Sequence, residues 1–241
     1  MKDRTRPVNA KQSVNSAPTN RTEPVEISFY TDPICCWSWA LEKPLSKLRE
    51  LHAGKVEVRY VIYAMITDWE NFHDPVNSVS TPAQMGPVWM HASAVSGVPM
   101  EDRIWHLDPP ASSVPAALAV KCAGLQSRRA EEVFLDAVRE AVMLKGINIS
   151  KPDMLIGIAK AVEAAGPEIF SASKFEKQLH GPLPLAALKK DMNEAVANRI
   201  GRFPTLIIRS RGNRSVIVTG YRPYEELLDA VRAAKPNDNS L

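Results

Sequence analysis

The residues best suited to chemistry lie in the segment Asp32–Trp39, with the sequence DPICCWSW, which contains two neighbouring cysteines. The segment follows a stretch with strand periodicity and precedes one with helical periodicity, so Cys35 falls at a helix N-terminus. Free backbone N–H groups and the positive end of the helix dipole favour an anion there. The pKa of a cysteine in such a place can fall to about 3.5–7.5. Because the thiolate is the form that attacks disulfides, Cys35 is the candidate nucleophile.

The other two cysteines are poor disulfide partners for Cys35. Cys36 is adjacent in sequence, and a bridge between neighbouring cysteines closes a strained eight-membered ring. Cys122 follows the apolar stretch 116–120 within a predicted helix, where a buried core thiol is the ordinary role of cysteine. Three cysteines make no disulfide framework. The five scattered histidines lack the short spacings of a zinc site, so no metal is predicted.

Two strands and a helix are expected to position Cys35. Residues 25–30 (VEISFY) alternate as a strand does, and residues 56–63 are rich in β-branched and aromatic side chains. The helix between them extends to about residue 51, and leucines mark its expected buried face: Leu41, Leu45, Leu48 and Leu51. Short connections between strand, helix and strand imply a right-handed parallel unit.

The middle of the chain is expected to be helical, because no convincing strand pattern occurs between about residues 67 and 181. Helices are predicted near 82–96, 114–125, 129–145, 151–165 and 172–178. Ser150 and Asp153 predict a capping box at the start of the fourth. We expect this block to have a small core of its own.

The C-terminal part is expected to return to the sheet. A helix over 183–200 is predicted to end at Gly201 as its C-cap. Strands over 205–209 and 215–219 flank a hairpin connection at 211–214. A last helix is predicted over about 224–233.

Composition and charge exclude several classes of protein. Of the 241 residues, 45% are hydrophobic and 24% are charged, as in soluble globular proteins. No stretch approaches the roughly 18 apolar residues of a membrane span. Residues 1–24 carry five basic and two acidic side chains, a net charge of +3 that equals the net charge of the whole chain. The remaining residues are therefore neutral overall and lack a basic surface for nucleic acid. The polar N-terminal stretch has no apolar signal core, which favours a cytoplasmic location.

Several motifs together resemble the DsbA-like branch of the thioredoxin superfamily. The pattern Asp-Pro-x-Cys-x-Trp-Ser follows the first predicted strand, and residues 201–205 (GRFPT) precede a later one. Residues 108–116 (DPPASSVPA) and 220–224 (GYRPY) are similar to cytoplasmic bacterial members of that branch. The resemblance covers about residues 25–234. It implies an α/β architecture, a thioredoxin-like fold with an all-helical insertion domain.

The resemblance also implies a division of the chain and the members of the site. The thioredoxin-like domain would comprise residues 25–66 and 181–236, the helical insertion 67–180, and tails 1–24 and 237–241. Pro204 is implied to be a cis-proline that faces Cys35, which leaves the backbone beside it free to pair with an extended substrate. The residues implied to contact the substrate are Cys36, Trp37, Phe203 and Thr205, with Trp37 on an apolar rim and Trp39 packed inward.

Ser38 departs from the family pattern. Redox-active members carry a second cysteine at that position, which attacks the mixed disulfide and releases the substrate. Serine cannot do this, although its hydroxyl can donate a hydrogen bond to the Cys35 thiolate. A cycle with a single cysteine needs glutathione or another small thiol as its resolving partner, and no tightly bound cofactor.

Three functions follow as hypotheses. The first is a thiol-disulfide oxidoreductase or isomerase that forms a mixed disulfide at Cys35 with a protein or small-molecule substrate. The second is a non-redox adaptor that delivers a client to a cytoplasmic protease. The resemblance implies this alternative, because some similar cytoplasmic members of the family are thought to be adaptors. The third is a glutathione-dependent isomerase or transferase, for which Ser38 lies one turn too late in the helix. The oligomeric state is left open.

Overall fold

The fold is built around a four-stranded sheet in which the central strand leads into the cysteine segment. The computed structural model describes residues 23–211 and 215–235. Its strands are β1 (Val25–Thr31), β2 (Val56–Ile62), β3 (Thr205–Arg209) and β4 (Val216–Thr219), in the order β2-β1-β3-β4. β1 and β2 are parallel, as predicted, and β3 is antiparallel to both β1 and β4. The architecture is the α/β, thioredoxin-like one that the sequence predicts.

The described residues also form nine α-helices, numbered in chain order. They are α1 (Cys36–Leu51), α2 (Met85–Ser96), α3 (Ile104–Leu107), α4 (Val114–Gly124), α5 (Arg128–Lys145), α6 (Pro152–Ala165), α7 (Ala172–Leu179), α8 (Pro182–Ala197) and α9 (Tyr224–Ala234). A 3₁₀ turn at Pro82–Gln84 leads into α2. Between β2 and β3 the only β pairing is an isolated bridge from Asp74 to Val79, so the middle of the chain is helical as expected.

The two faces of the sheet are covered by different helices. Tyr30, Val61 and Ile207 point to one face, where they form a small buried cluster with Ala195 of α8. The alternate residues of the strands face the other side, where they join the main core with α1 and α9. This alternation is the period of two expected of strands buried on both faces.

The helical block does not have a core of its own, contrary to the prediction. One continuous buried cluster extends from the sheet residues Phe29 and Leu206 through α1 to Trp89, Phe134 and Phe175 in the helices. The helical block therefore shares one core with α1 and with the sheet face that α1 covers. The domain limits at residues 66 and 181 remain predictions.

Two predicted helix caps are wrong, for local reasons. α8 ends at Ala197, because Arg199 adopts the left-handed conformation (φ 56°) and the Ile200 N–H bonds to the Ala195 carbonyl at 2.9 Å. The Ser150 hydroxyl donates to Asn148 Oδ1 at 2.6 Å, so it does not cap α6, which begins after Lys151.

Two further local features differ from prediction. Leu51, the last residue of α1, is 62% exposed rather than buried with Leu48. The short helix α3 was not predicted, because four residues carry too little periodicity to identify.

Some predictions concern residues outside the described ranges. The predicted tails fall almost wholly on residues 1–22 and 236–241, and the hairpin connection falls mainly on 212–214. Among the helices of residues 23–211 and 215–235, none combines the length and apolar character that a membrane crossing requires.

Candidate functional site

Cys35 lies where the sequence predicted, at the junction between the central strand and the first helix. It is the N-cap of α1: its backbone N–H donates to the Asp32 carbonyl at 3.1 Å, and its own carbonyl accepts from the Trp39 N–H at 3.0 Å. Tyr30 of β1 pairs with Thr205 of β3, which brings the segment before β3 to the same end of the sheet. The Phe203–Pro204 peptide bond in that segment is cis.

The environment of Cys35 corrects the predicted direction of its pKa. Only 6% of the residue is exposed. Burial, which disfavours the charged form, raises the pKa of the Cys35 thiol above its ordinary value, and the charge of Asp32 acts in the same direction. Hydrogen bonding from Ser38 and the charge of Arg139 lower it, but not enough to reverse the effect of burial. The helix N-terminus alone therefore does not make this cysteine a stable thiolate.

Ser38 lies in the first turn of α1, close enough to Cys35 to lower the pKa of its thiol. The residue is fully buried, and its Oγ has no partner in full hydrogen-bond geometry within the described part of the chain. Its interaction with Cys35 favours the thiolate. A buried hydroxyl without another partner gains a charge-assisted hydrogen bond only when that thiolate forms.

Cys36 and Cys122 are buried core thiols. Cys36 is 2% exposed within the main core, and burial raises the pKa of its thiol well above the ordinary value. Its side chain lies in the core, and the predicted substrate contact of Cys36 remains a prediction. Cys122 is fully buried, as predicted, and its Sγ lies 3.4 Å from the Phe175 carbonyl oxygen. All three cysteines are unbridged.

The two tryptophans beside Cys35 take different directions. Trp37 is half-buried, with its ring centre 5.6 Å from that of His91 on α2 and 6.4 Å from that of Tyr221. This aromatic group can form part of a rim near Cys35. Trp39 turns toward the helical block, where its indole Nε1 donates to the Pro99 carbonyl at 3.3 Å.

The residues on either side of Pro204 are partly engaged by the fold itself. The Phe203 ring stacks on Tyr63 with ring centres 4.9 Å apart. The Thr205 side chain is buried, and its hydroxyl donates to the Arg202 carbonyl at 2.8 Å. Pro204 is buried at the start of β3. The predicted substrate contacts of Phe203 and Thr205 remain predictions.

Asp32 and Ser113 belong to the site, although the sequence reasoning gave neither a role. Asp32 is fully buried, and its carboxylate accepts the backbone N–H of Ile34 at 2.7 Å and of Met65 at 2.6 Å. Ser113 precedes α4; its Oγ accepts the Ile66 N–H at 3.1 Å and its N–H donates to the Ile66 carbonyl at 2.8 Å. Burial raises the pKa of Asp32, whereas the Ser113 hydroxyl and the two backbone donors oppose that rise. The signal that could have found Asp32 was the Asp-Pro-x-Cys-x-Trp-Ser pattern, and for Ser113 it was the motif over 108–116.

Arg139 was also missed, and it is a fully buried cation. It extends from α5 to the sheet and α1 and donates to Glu42 and to the Thr31 hydroxyl; within residues 23–211 and 215–235 its Nε has no hydrogen-bond partner. Its guanidinium carbon lies 5.7 Å from the ring centre of Phe29 and 6.0 Å from that of Tyr60. The available signal was an arginine on the apolar face of α5.

The described residues contain no group of three or more His, Cys, Asp or Glu side chains arranged to hold a metal ion.

The raised pKa of Cys35 predicts slow alkylation at neutral pH. Because iodoacetamide reacts with the thiolate, the rate at Cys35 should rise about tenfold per pH unit from pH 7 to 9 and still be rising at pH 9. Peptide mapping by mass spectrometry separates Cys35 from the more deeply buried Cys36 and Cys122. A rate that reaches its plateau below pH 8 would contradict the effect of burial.

Comparison with known proteins supports the fold. A family model described as thioredoxin matches residues 29–229. The ClpXP adapter protein SpxH of Halalkalibacterium halodurans is 27% identical over 221 residues, which cover 90% of this chain and 70% of that protein. A protein described as a disulfide isomerase, from Nitrosomonas europaea, has a TM-score of 0.68 at 20% identity, over 86% of this chain and 97% of that one. The cytosolic disulfide reductase DsbM from Pseudomonas aeruginosa, solved with GSH, has a TM-score of 0.60 at 17% identity, and the match covers 88% of this chain and 94% of that one.

Proposed function

The chain belongs to the thioredoxin family, and from this premise we propose that it carries out thiol-disulfide exchange through one reactive thiol, that of Cys35. The observation that carries the proposal is the position of this thiol at the start of α1, at the end of the sheet where the Phe203–Pro204 segment also lies. Ser38 occupies the place from which a second thiol would act, and the other two cysteines are in the core. An external thiol must therefore complete the cycle.

The proposed cycle has two exchanges. In the first, the Cys35 thiolate attacks one sulfur of a substrate disulfide R–S–S–R′, forms Cys35–S–S–R and releases R′–S⁻, which takes up a proton. In the second, the thiolate of glutathione or another small thiol attacks the R sulfur, forms R–S–S–G and returns Cys35 to its thiolate. The Ser38 hydroxyl stabilises that thiolate by a hydrogen bond, and backbone groups beside Pro204 align the substrate.

The poor stability of the thiolate sets the preferred direction of the reaction. A strong oxidant of this type stabilises its reduced form as a thiolate, which makes its disulfide easy to reduce. Burial of Cys35 has the opposite effect, because it leaves the reduced form without that stabilisation. We therefore propose that the protein acts as a reductant or isomerase. The likeness to a cytosolic disulfide reductase supports this direction and a cytoplasmic location.

The test is the formation of a mixed disulfide with glutathione. Incubation of the intact protein with glutathione disulfide at pH 8 should add one glutathione, mapped by mass spectrometry to Cys35. Added dithiothreitol should remove it. Cys35→Ser should abolish the adduct, whereas Cys36→Ser and Cys122→Ser, the matched controls, should retain it. An adduct that persists in Cys35→Ser, or its complete absence from the unmodified protein, would contradict the proposal.

An adaptor without redox chemistry is the second candidate. It is supported by the likeness to a ClpXP adapter protein and by the burial of Cys35, which restricts access to the thiol. Under this alternative the surface around Cys35 binds a client protein, and the complex presents that client to a protease of the ClpXP type. Client degradation by purified ClpXP should then accelerate equally with the unmodified protein and with Cys35→Ser. Loss of the acceleration in Cys35→Ser would instead favour exchange chemistry.

A further inference from the structure

Two buried side chains of opposite charge type belong to the surroundings of Cys35: Asp32 lies in the turn that carries it, and Arg139 contacts Thr31 before the turn and Glu42 after it. We infer that Asp32, in the loop before α1, and Arg139, from α5, together set the reactivity of the Cys35 thiol, as positioning residues that act in opposite directions. The inference depends on the proposed function only in that Cys35 is taken as the reactive thiol. It connects the helical block, which supplies Arg139, with the chemistry at the end of the sheet.

Asp32 is fixed in the turn as a carboxylate acceptor. Both of its oxygens accept short hydrogen bonds, from Ile34 N at 2.7 Å and Met65 N at 2.6 Å, and no ion pair to it is formed in the described residues. Hydrogen bonds accepted from two backbone N–H groups favour the ionised form of the carboxyl. Its backbone carbonyl accepts the Cys35 N–H at 3.1 Å, so the buried negative charge and the thiol belong to one tight turn. Forming a thiolate beside it brings two negative charges together, which is unfavourable.

Arg139 holds both segments that flank Cys35. It donates to Thr31, the last residue of β1, and to Glu42 in α1. Its side chain is completely buried, and its Nε has no hydrogen-bond partner among the described residues. A cation in this position favours the Cys35 thiolate, although Glu42 neutralises part of its charge. The directions of the pKa effects agree with this arrangement. Burial and Ser38 have the largest effects on the pKa of the Cys35 thiol; next, Asp32 raises that pKa and Arg139 lowers it.

Other titratable groups lie on the elements packed around this turn. They are Cys36 and Glu42 on α1, Tyr60 on β2, Asp136 on α5, His91 on α2, which contacts Trp37, and Asp74, which acts on Cys36. None of them donates to or accepts from the Asp32 carboxylate, so changing Asp32 leaves their contacts in place.

The test is the pH profile of Cys35 alkylation in two variants with opposite expected shifts. Asp32→Asn removes the negative charge and should move the midpoint of the profile to lower pH, raising the rate at pH 7 by about tenfold. Arg139→Gln removes the positive charge and should move the midpoint to higher pH, lowering the rate at pH 7 several-fold. Thr31→Val is the matched control, because it deletes the Arg139 contact to the hydroxyl without a change of charge, and its midpoint should stay in place.

Opposite shifts separate an electrostatic effect from loosening of the site. A loosened site exposes Cys35 and accelerates alkylation in both variants, mainly through the plateau rate, so two shifts in the same direction would overturn the inference. An unchanged midpoint in Asp32→Asn would also overturn it, because Asp32 would then carry no charge in the native protein. Should Arg139→Gln fail to fold, Arg139→Lys replaces it and should leave the midpoint near its original pH. The glutathione-disulfide assay run in parallel reports on the proposed function independently.

Discussion

Replacing Ser38 by cysteine is expected to change Cys35 from a thiol that needs an external partner into one half of an internal dithiol. Residues 35 and 38 are three apart at the start of a helix, where helical geometry separates their Cα atoms by about 5 Å. This distance lies within the range of ordinary disulfides, about 4.4–6.8 Å. The Ser38 side chain is buried and close enough to lower the pKa of the Cys35 thiol, so a sulfur at position 38 is expected to lie within reach.

The measurable result is the lifetime of the mixed disulfide between Cys35 and glutathione. In the unmodified protein only external thiol can break it. In Ser38→Cys the new thiolate attacks the Cys35 sulfur, closes an internal disulfide and releases glutathione. Because the attacking group is held in place, release at 1 mM glutathione should be faster by on the order of 10²-fold. Stopped-flow acid quench followed by mass spectrometry measures the release directly.

Two control variants make this result specific. Ser38→Ala removes the hydroxyl without adding a thiol, so it should lengthen rather than shorten the lifetime. Ser46→Cys adds a thiol at an exposed position of the same helix and should leave release unchanged. Equal lifetimes in Ser38→Cys and the unmodified protein would mean that position 38 does not face the mixed disulfide, and the proposed reason for the monothiol cycle would fail.

The sheet and the position of Cys35 could be predicted because both depend on residue patterns within short segments of the chain. The alternation over residues 25–31 and 56–62 identifies β1 and β2, and a helix with leucines at regular spacing must begin between them. The family resemblance added the Phe203–Pro204 segment, whose place beside β1 depends on pairing across more than 170 residues. No local pattern carries that pairing.

The electrostatic character of the site could not be predicted, because it depends on what covers Cys35. A helix N-terminus indicates a low thiol pKa only where water or donors reach the sulfur. Here the turn is covered by the Met65–Ile66 segment, which Ser113 holds in place, and by the helix that carries Arg139. Arg139 contacts Glu42 and Thr31 across 97 and 108 residues of sequence. The place of Arg139 on the apolar face of α5 could indicate its burial, but no local pattern identifies the residues that it contacts.

The largest effect on stability is expected from Lys121→Met, which removes the cation from a buried cluster between the helical block and the sheet. Lys121 Nζ lies 2.5 Å from Glu131 Oε1 and 2.7 Å from Asp191 Oδ2, with side-chain exposures of 11%, 16% and 9%. Methionine preserves the volume but leaves two buried carboxylates unpaired. Breaking a buried pair in this way costs about 3–5 kcal/mol. Urea unfolding at pH 7 should show this loss in the free energy of unfolding.

The matched control is Lys160→Met, because the Lys160–Glu176 pair is exposed and its atoms are 3.6 Å apart. Exposed pairs contribute about 0–1 kcal/mol, so this variant should unfold close to the unmodified protein. A loss below 1 kcal/mol in Lys121→Met would contradict the role of the cluster. The cluster also bears on the site, because the same Asp191 oxygen accepts the Ile62 N–H at 2.9 Å, at the end of β2. The Tyr63–Ile66 segment that covers Asp32 begins there, so alkylation of Cys35 should accelerate in Lys121→Met and remain unchanged in Lys160→Met.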